Sequence, residues 1–168
     1  MEHNAFYSMG NMIVNSSHPN PSEVELRTAV GRIYYYVYHE ILNWVVSDEN
    51  LNTLYRDSEI KSTHKKLINV FYELTKQTQD LNYGKITRLL SAMHGFRCKA
   101  DYHLEGMVDR ALFDSILANL NDLKDTCMTY NHTLFSVVIS EKPSIIGSIK
   151  TNSGNFEVRK KPTLRLLD

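Results

Sequence analysis

The stretch Arg32-Ile-Tyr-Tyr-Tyr-Val-Tyr-His39 places five aromatic or imidazole rings within eight residues, directly behind an arginine. Seven residues turn an α-helix through roughly 700°, so Arg32 and His39 project almost along one line, about two turns apart. A second arginine and histidine, Arg97 and His103, follow later in the chain. The sequence therefore predicts a composite site built from two polar pairs on separate helices.

The helix that carries this stretch has a clear start and a clear core face. Ser22 and Glu25 have the spacing of a capping box, which predicts a helix from Ser22 to about Val46. Its apolar positions recur every three or four residues, as on a buried helix face. They are Leu26, Val30, Ile33, Val37, Ile41 and Trp44.

The same periodicity predicts four further helices, which together give an all-α bundle of about five helices over residues 1–132. They cover residues 4–14, a segment that begins near Ser62, a segment from Tyr83 to the low 100s, and about Val108 to Tyr130. Polar connections are expected at 47–60 and 75–81. The positions of the last helix expected to face inward are Ala111, Leu112, Ile116, Leu120 and Leu123.

After Asn131 the chain becomes β-branched and is then punctuated by glycine and proline, with lysine and arginine in excess of acidic residues. We expect a basic C-terminal extension over residues 133–168 that is short, extended or strand-like, and that is either solvated or ordered by a partner.

Composition narrows the class of protein. A net charge of zero over 168 residues gives no general attraction to nucleic acid or acidic membranes, so any such binding requires a local patch. Cys98 and Cys127 form no metal-binding pattern, which favours reduced, buried thiols. The N-terminus has no signal-peptide pattern, and no apolar run approaches the roughly 20 residues that span a bilayer. We expect a cytoplasmic protein without membrane association.

Three segments in order resemble one branch of the HEPN superfamily, small prokaryotic helical bundles often encoded beside a nucleotidyltransferase. The first runs Arg27-Thr-Ala-Val-Gly-Arg32-Ile-Tyr-Tyr-Tyr-Val-Tyr-His39 and resembles the motif R-x-A-x-x-R-x-Y-Y-x-x-[FY]-H. The helix start at Ser62-Thr-His64 resembles the branch's histidine-bearing segment. The third segment, Arg97-Cys-Lys-Ala-Asp-Tyr102, resembles its R-x-x-A-D-Y ending.

This resemblance implies an RNA-directed protein, and in its active form a metal-independent endoribonuclease of toxin or phage-defence type. The implied catalytic pair is Arg97 and His103, which in the family usually meets across a homodimer. The implied RNA- or nucleotide-binding residues are Arg32, Tyr35, His39, His64, Asp101 and Tyr102. The implied partners are RNA or a nucleotide, a second copy of the chain, and a nucleotidyltransferase or antitoxin, with no cofactor and no metal.

The chemistry of cleavage suits these residue types. Attack by the 2′-hydroxyl of RNA needs proton transfer, for which histidine is suited, and stabilisation of charge on phosphorus, for which a guanidinium is suited. On an unbroken helix, however, Arg97 and His103 lie on different faces. They converge only if the helix distorts near Asp101 or if His103 acts across an interface. Asp101 is also placed to pair with Arg97 at i, i+4.

Two other functions remain open from the sequence. The same arginines and tyrosines suit a non-catalytic module that holds RNA or a nucleotide by charge and stacking, with a partner supplying the chemistry. The polar residues also suit a purely structural subunit, in which they only tie helices together. A metal enzyme is disfavoured, because no His-x-x-x-His or Cys-x-x-Cys arrangement occurs.

Overall fold

Six helices make up the part of the chain that the computed structural model describes, which is residues 3–15 and 20–130. The predicted all-α bundle is confirmed for this part, with one helix more than expected. The helices are α1 (Asn4–Asn15), α2 (Glu23–Ser47), α3 (Glu49–Asp57), α4 (Thr63–Thr78), α5 (Leu81–Tyr102) and α6 (Arg110–Met128). The predicted extension over residues 133–168 lies outside the described residues.

Helix α2 is the centre of the bundle and begins at the predicted capping box. The Ser22 hydroxyl accepts a hydrogen bond from the backbone N–H of Glu25 at 3.3 Å, and the Glu25 carboxylate accepts one from the N–H of Ser22 at 2.7 Å. All six predicted core positions of α2 are buried. Ala29, Tyr36 and Val45 are buried as well, because α1, α4, α5 and α6 all pack against this helix.

The polar connection predicted at 47–60 is wrong for residues 49–57, which form α3. Asp48 starts this helix, since its carboxylate accepts hydrogen bonds from the N–H groups of Asn50 and Leu51, each at 3.0 Å. Leu51 is the one fully buried residue of α3. A strong N-cap and a single anchor give a helix that apolar periodicity alone does not reveal.

The connection predicted at 75–81 is shorter than expected, because α4 continues to Thr78. Gln79 ends α4 in the left-handed region, at φ 59°, and its N–H bonds to the carbonyl of Thr75. Asp80 then caps α5 by accepting from the N–H of Asn82 at 2.8 Å.

In α6 the inward positions Ile116, Leu120 and Leu123 are confirmed, whereas Ala111 is exposed and Phe113 is buried in its place. Two residues correspond to about 200° of helix, so Ala111 lies on the side opposite Phe113. Leu112 is only half-buried.

Both cysteines are free thiols, and Cys127 is buried as predicted. The prediction of a buried thiol is wrong for Cys98, which is only half-buried. Within residues 3–15 and 20–130, no helix combines the length and the apolar character that crossing a membrane requires.

Arg27 fixes the C-terminal end of α5 against α2. The last carbonyls of a helix have no partner within it. Nη1 of Arg27 donates to the carbonyls of Lys99 and Ala100 at 3.1 and 2.9 Å, and Nη2 donates to the carbonyl of Gly106. Nη2 also pairs with the Glu23 carboxylate at 2.7 Å. Arg27 is the first arginine of the segment that resembles the HEPN motif. It acts as a structural clamp, because it holds the end of α5 in the position where Arg97 and Asp101 meet α2.

Candidate binding site between helices α2 and α5

Arg97 lies at the centre of the contact between α2 and α5. Its side chain is 9% exposed, and Nη2 donates a hydrogen bond to the Tyr35 hydroxyl at 2.8 Å. Nε lies 2.8 Å from a carboxylate oxygen of Asp101, so the predicted i, i+4 ion pair is present. This contact is an ion pair and not a hydrogen bond, because within the described residues the buried Nε–H has no partner along its own direction.

Two tyrosine rings and one carboxylate stabilise the positive charge of Arg97. The guanidinium carbon lies 4.5 Å from the ring centre of Tyr102 and 5.5 Å from that of Tyr35. Burial on its own lowers the pKa of Arg97, but hydrogen bonding to Tyr35 and Tyr102 and the charge of Asp101 outweigh burial and raise the pKa. Arg97 is thus a fixed cation whose charge is already matched inside the protein.

His103 is placed very differently. It is the residue that ends α5, its side chain is exposed, and no described hydrogen bond, ion pair or ring contact joins it to Arg97. Helix α5 remains regular through Tyr102, so the distortion near Asp101 that would bring the pair together in one chain does not occur. Within a single chain, the predicted catalytic pair is not assembled.

Three of the predicted binding residues do come together. Arg32, Tyr35 and Asp101 line a pocket of about 240 Å³, whose remaining lining residues are Thr28 and Gly31. The four lining residues of α2 lie on one face at helical spacing, and Asp101 closes the pocket from α5. The pocket therefore combines a guanidinium, an aromatic ring and a carboxylate.

Gly31 gives this pocket its space. A β-carbon at this position would lie 3.3 Å from an oxygen of Asp101, closer than ordinary contact. Arg32 is half-buried and makes no described hydrogen bond or ion pair. Its guanidinium carbon lies 5.7 Å from the ring centre of Phe6. The charge of Arg32 is therefore unmatched within residues 3–15 and 20–130.

His39 faces α1 and does not line the pocket. Its ring stacks on His3 at 4.8 Å and on Phe6 at 5.9 Å between ring centres. Phe6 thus contacts both Arg32 and His39, the pair that the helix spacing placed on one line. Burial lowers the pKa of His39, and His3 lowers it further.

His64 belongs to a second cluster, on the α4 side of Tyr35. Its Nδ1 lies 2.9 Å from the Tyr34 hydroxyl, and its ring lies 4.5 Å from that of Tyr38 and 5.4 Å from that of His94. The thiol of Cys98 lies 3.6 Å from Nε2 of His94.

Sequence reasoning missed His94 and Tyr34. The signal for His94 was its spacing, since a residue three positions before Arg97 lies on the same helix face. Tyr34 was noted only as a neighbour of the arginine, because nothing in the sequence shows that its hydroxyl meets α4. Tyr102, a predicted binding residue, is 64% exposed and stacks on Arg97 beside the pocket.

Among the residues that the structure describes, no three His, Cys, Asp or Glu side chains are grouped so as to hold a metal ion. Comparisons with protein-family models, with curated proteins and with solved structures found no match to this chain, so the HEPN resemblance stays a prediction.

Proposed function

We propose that this chain binds RNA or a nucleotide in the pocket between α2 and α5. The observation that carries the proposal is the convergence of Arg32, Tyr35 and Asp101 on one small pocket. These residues come from segments more than 60 positions apart in the sequence, and each has a chemistry that a nucleotide uses.

Each lining group has a distinct role in the proposal. Arg32 binds phosphate, because a guanidinium matches phosphate geometry and this one has no described ionic partner. The ring of Tyr35 stacks on a base or a sugar. The free carboxylate oxygen of Asp101 accepts a hydrogen bond from a base amino group or a ribose hydroxyl, while its other oxygen is held by Arg97.

The size of the pocket limits what enters it. A volume of about 240 Å³ lies below the range of about 300–1,000 Å³ that is usual for drug-sized ligands. We therefore propose that a single base or a single ribose-phosphate unit occupies it, as a free nucleotide or as one unit of an RNA strand.

In this proposal Arg97 positions the site and does not perform catalysis. It is buried, its charge is matched by Asp101, and it holds the Tyr35 hydroxyl. Chemistry on the bound RNA comes from a partner protein, for which the family resemblance suggests a nucleotidyltransferase.

The test is a binding titration with a matched arginine control. Arg32→Gln removes the proposed phosphate contact, whereas Arg88→Gln removes an exposed arginine of α5 that does not line the pocket. Using fluorescently labelled single-stranded RNA and nucleoside monophosphates in EDTA, we expect Arg32→Gln to weaken binding about tenfold or more, or about 1.4 kcal/mol. Equal losses of affinity in both variants would show that binding depends only on the overall positive charge and not on the pocket. An absence of binding by the wild type would favour a purely structural subunit.

A second candidate function is metal-independent RNA cleavage, and one specific observation favours it. The imidazole of His103 is exposed and makes no described contact, so it is free to act at a cleft shared by two copies of the chain. Cleavage of the labelled RNA in EDTA, with a 2′,3′-cyclic phosphate product and loss of activity in His103→Gln, would support it. RNA that is bound but remains intact supports the binding module.

A further inference from the structure

The rings of His64 and His94 face each other between α4 and α5. Their centres are 5.4 Å apart and the rings are inclined by 29°. Both side chains are half-buried, and within the described residues neither forms an ion pair with a carboxylate. A pair of stacked imidazoles without an acidic partner has no internal counter-ion when it becomes protonated.

The charged groups around the pair are cationic. Lys65 on α4 and Arg97 on α5 both act on the ring of His94, and Arg97 also acts on His64. The carboxylate nearest along α5 is Asp101, which is already bound to the Nε side of Arg97. Asp101 therefore balances the charge of Arg97, but no described carboxylate balances Lys65 or a protonated His64 or His94.

The remaining groups that face the pair are neutral or weakly basic. From α2, the Tyr34 hydroxyl bonds to His64 and the ring of Tyr38 lies against it, with His39 farther along the same helix. From α5, the Cys98 thiol contacts Nε2 of His94. None of these groups supplies a fixed negative charge.

We propose that His64 and His94 bind a phosphate group of an RNA backbone, at a position separate from the α2–α5 pocket. The inference rests on the proposed function only in assigning this phosphate to RNA. Two imidazolium N–H donors, with the positive charge of Lys65 acting on His94, match the charge and the hydrogen-bond acceptors of a phosphate oxygen pair.

Binding at this site is linked to proton uptake. Burial is the main cause that lowers the pKa of both His64 and His94, and their cationic neighbours lower it further, so both rings are mainly neutral in the free protein at pH 7.5. Phosphate binds the protonated rings and therefore raises their pKa. The affinity increases as the pH falls, by up to about tenfold per pH unit for each proton taken up.

The test follows the ring signals of individual histidines by NMR, in the full chain, between pH 5.5 and 8. Inorganic phosphate is titrated in, and sodium chloride at equal ionic strength is the control. We expect phosphate, and not sodium chloride, to shift the titration curves of His64 and His94 towards higher pH. Equal shifts with both salts would indicate general screening and overturn the proposal.

Variants and a second probe complete the test. His64→Gln and His94→Gln, checked for an unchanged helical circular dichroism spectrum, should each weaken phosphate binding about tenfold. Arg88→Gln, at an exposed position of α5 outside both sites, should not. If either variant loses helicity, the His64 and His94 signals of the wild type decide the matter alone. A short RNA oligonucleotide should produce the same shifts as phosphate, and a response to inorganic phosphate without one to RNA would overturn the assignment to RNA.

The outcomes separate this site from the pocket. Arg32→Gln should weaken nucleotide binding in the pocket about tenfold or more and leave the phosphate response of His64 and His94 intact. A wild type that binds no nucleotide but shows the response would refute the proposed function alone. Normal nucleotide binding with no response at these rings would refute the phosphate site alone.

Discussion

The hydroxyl of Tyr35 accepts a hydrogen bond at 2.8 Å from Nη2 of Arg97, which joins the wall of the pocket on α2 to the buried cation of α5. The ring of Tyr35 faces the pocket, while its hydroxyl faces the protein interior. One side chain therefore connects the site that is proposed to bind RNA with the core that stabilises the bundle.

Tyr35→Phe should destabilise the bundle by about 1.5–3 kcal/mol, because it removes the acceptor of a buried, charged donor and keeps the aromatic ring. Urea denaturation followed by circular dichroism measures this loss. Tyr72→Phe is the matched control, because Tyr72 is 48% exposed and lies outside the site, and it should change the free energy of unfolding by less than about 0.5 kcal/mol. Equal losses in the two variants would show that the hydrogen bond to Arg97 is not a significant contact.

Arg27→Gln should destabilise the bundle by about 2–4 kcal/mol, because several carbonyls at the end of α5 and its loop lose their donor together. The comparison is Arg110→Gln, which breaks an ion pair with Asp114 whose side chains are 52% and 58% exposed. Such surface pairs contribute about 0–1 kcal/mol. If Arg27→Gln cost no more than Arg110→Gln, the clamp would not hold α5 in place.

The sequence predicted α2 well because its signals are local. The capping box of Ser22 and Glu25 and the apolar spacing from Leu26 onward both depend on residues of the same helix. It did not predict α3, because the evidence for that helix is one cap, Asp48, and one buried residue, Leu51. Tertiary packing, and not propensity, completes such short helices.

Three lining residues of the candidate pocket, Arg32, Tyr35 and Asp101, are among the residues named from the sequence, whereas the arrangement of the pocket is not predictable from it. Helical spacing could place Arg32 with Tyr35 and His39, but only tertiary packing decides that Asp101 closes over Tyr35 while Phe6 covers His39. For the same reason the family pattern could pair Arg97 with His103 in sequence, although within one chain Arg97 is buried and His103 is exposed.

The stability of the protein should fall as the pH decreases from about 6.5. Burial lowers the folded-state pKa of His39, His64 and His94 below the ordinary value of 6.5. Between these values the unfolded chain binds more protons than the folded one, so the free energy of unfolding decreases as the pH falls and recovers at neutral pH.

Urea midpoints measured between pH 5 and 7.5 in a phosphate-free buffer test this pH dependence. The double variant His64→Gln/His94→Gln should show a flatter profile than the wild type, and Arg88→Gln, at an exposed position of α5, should not differ from it. An identical slope in the wild type and the double variant would contradict the account.

The central claim, that the α2–α5 pocket binds RNA or a nucleotide, is tested most directly by Gly31→Ala. Alanine favours an interior helix position over glycine by about 1 kcal/mol, which offsets the cost of the close contact that the new methyl group makes. The methyl carbon lies 3.3 Å from an Asp101 oxygen, whose carboxylate is held by Arg97, so it narrows the pocket beside the oxygen that is proposed to accept a hydrogen bond from the ligand. Titration with labelled RNA should show binding weakened about tenfold or more, while urea denaturation shows that the variant is folded. Unchanged affinity in the folded Gly31→Ala protein would contradict the claim.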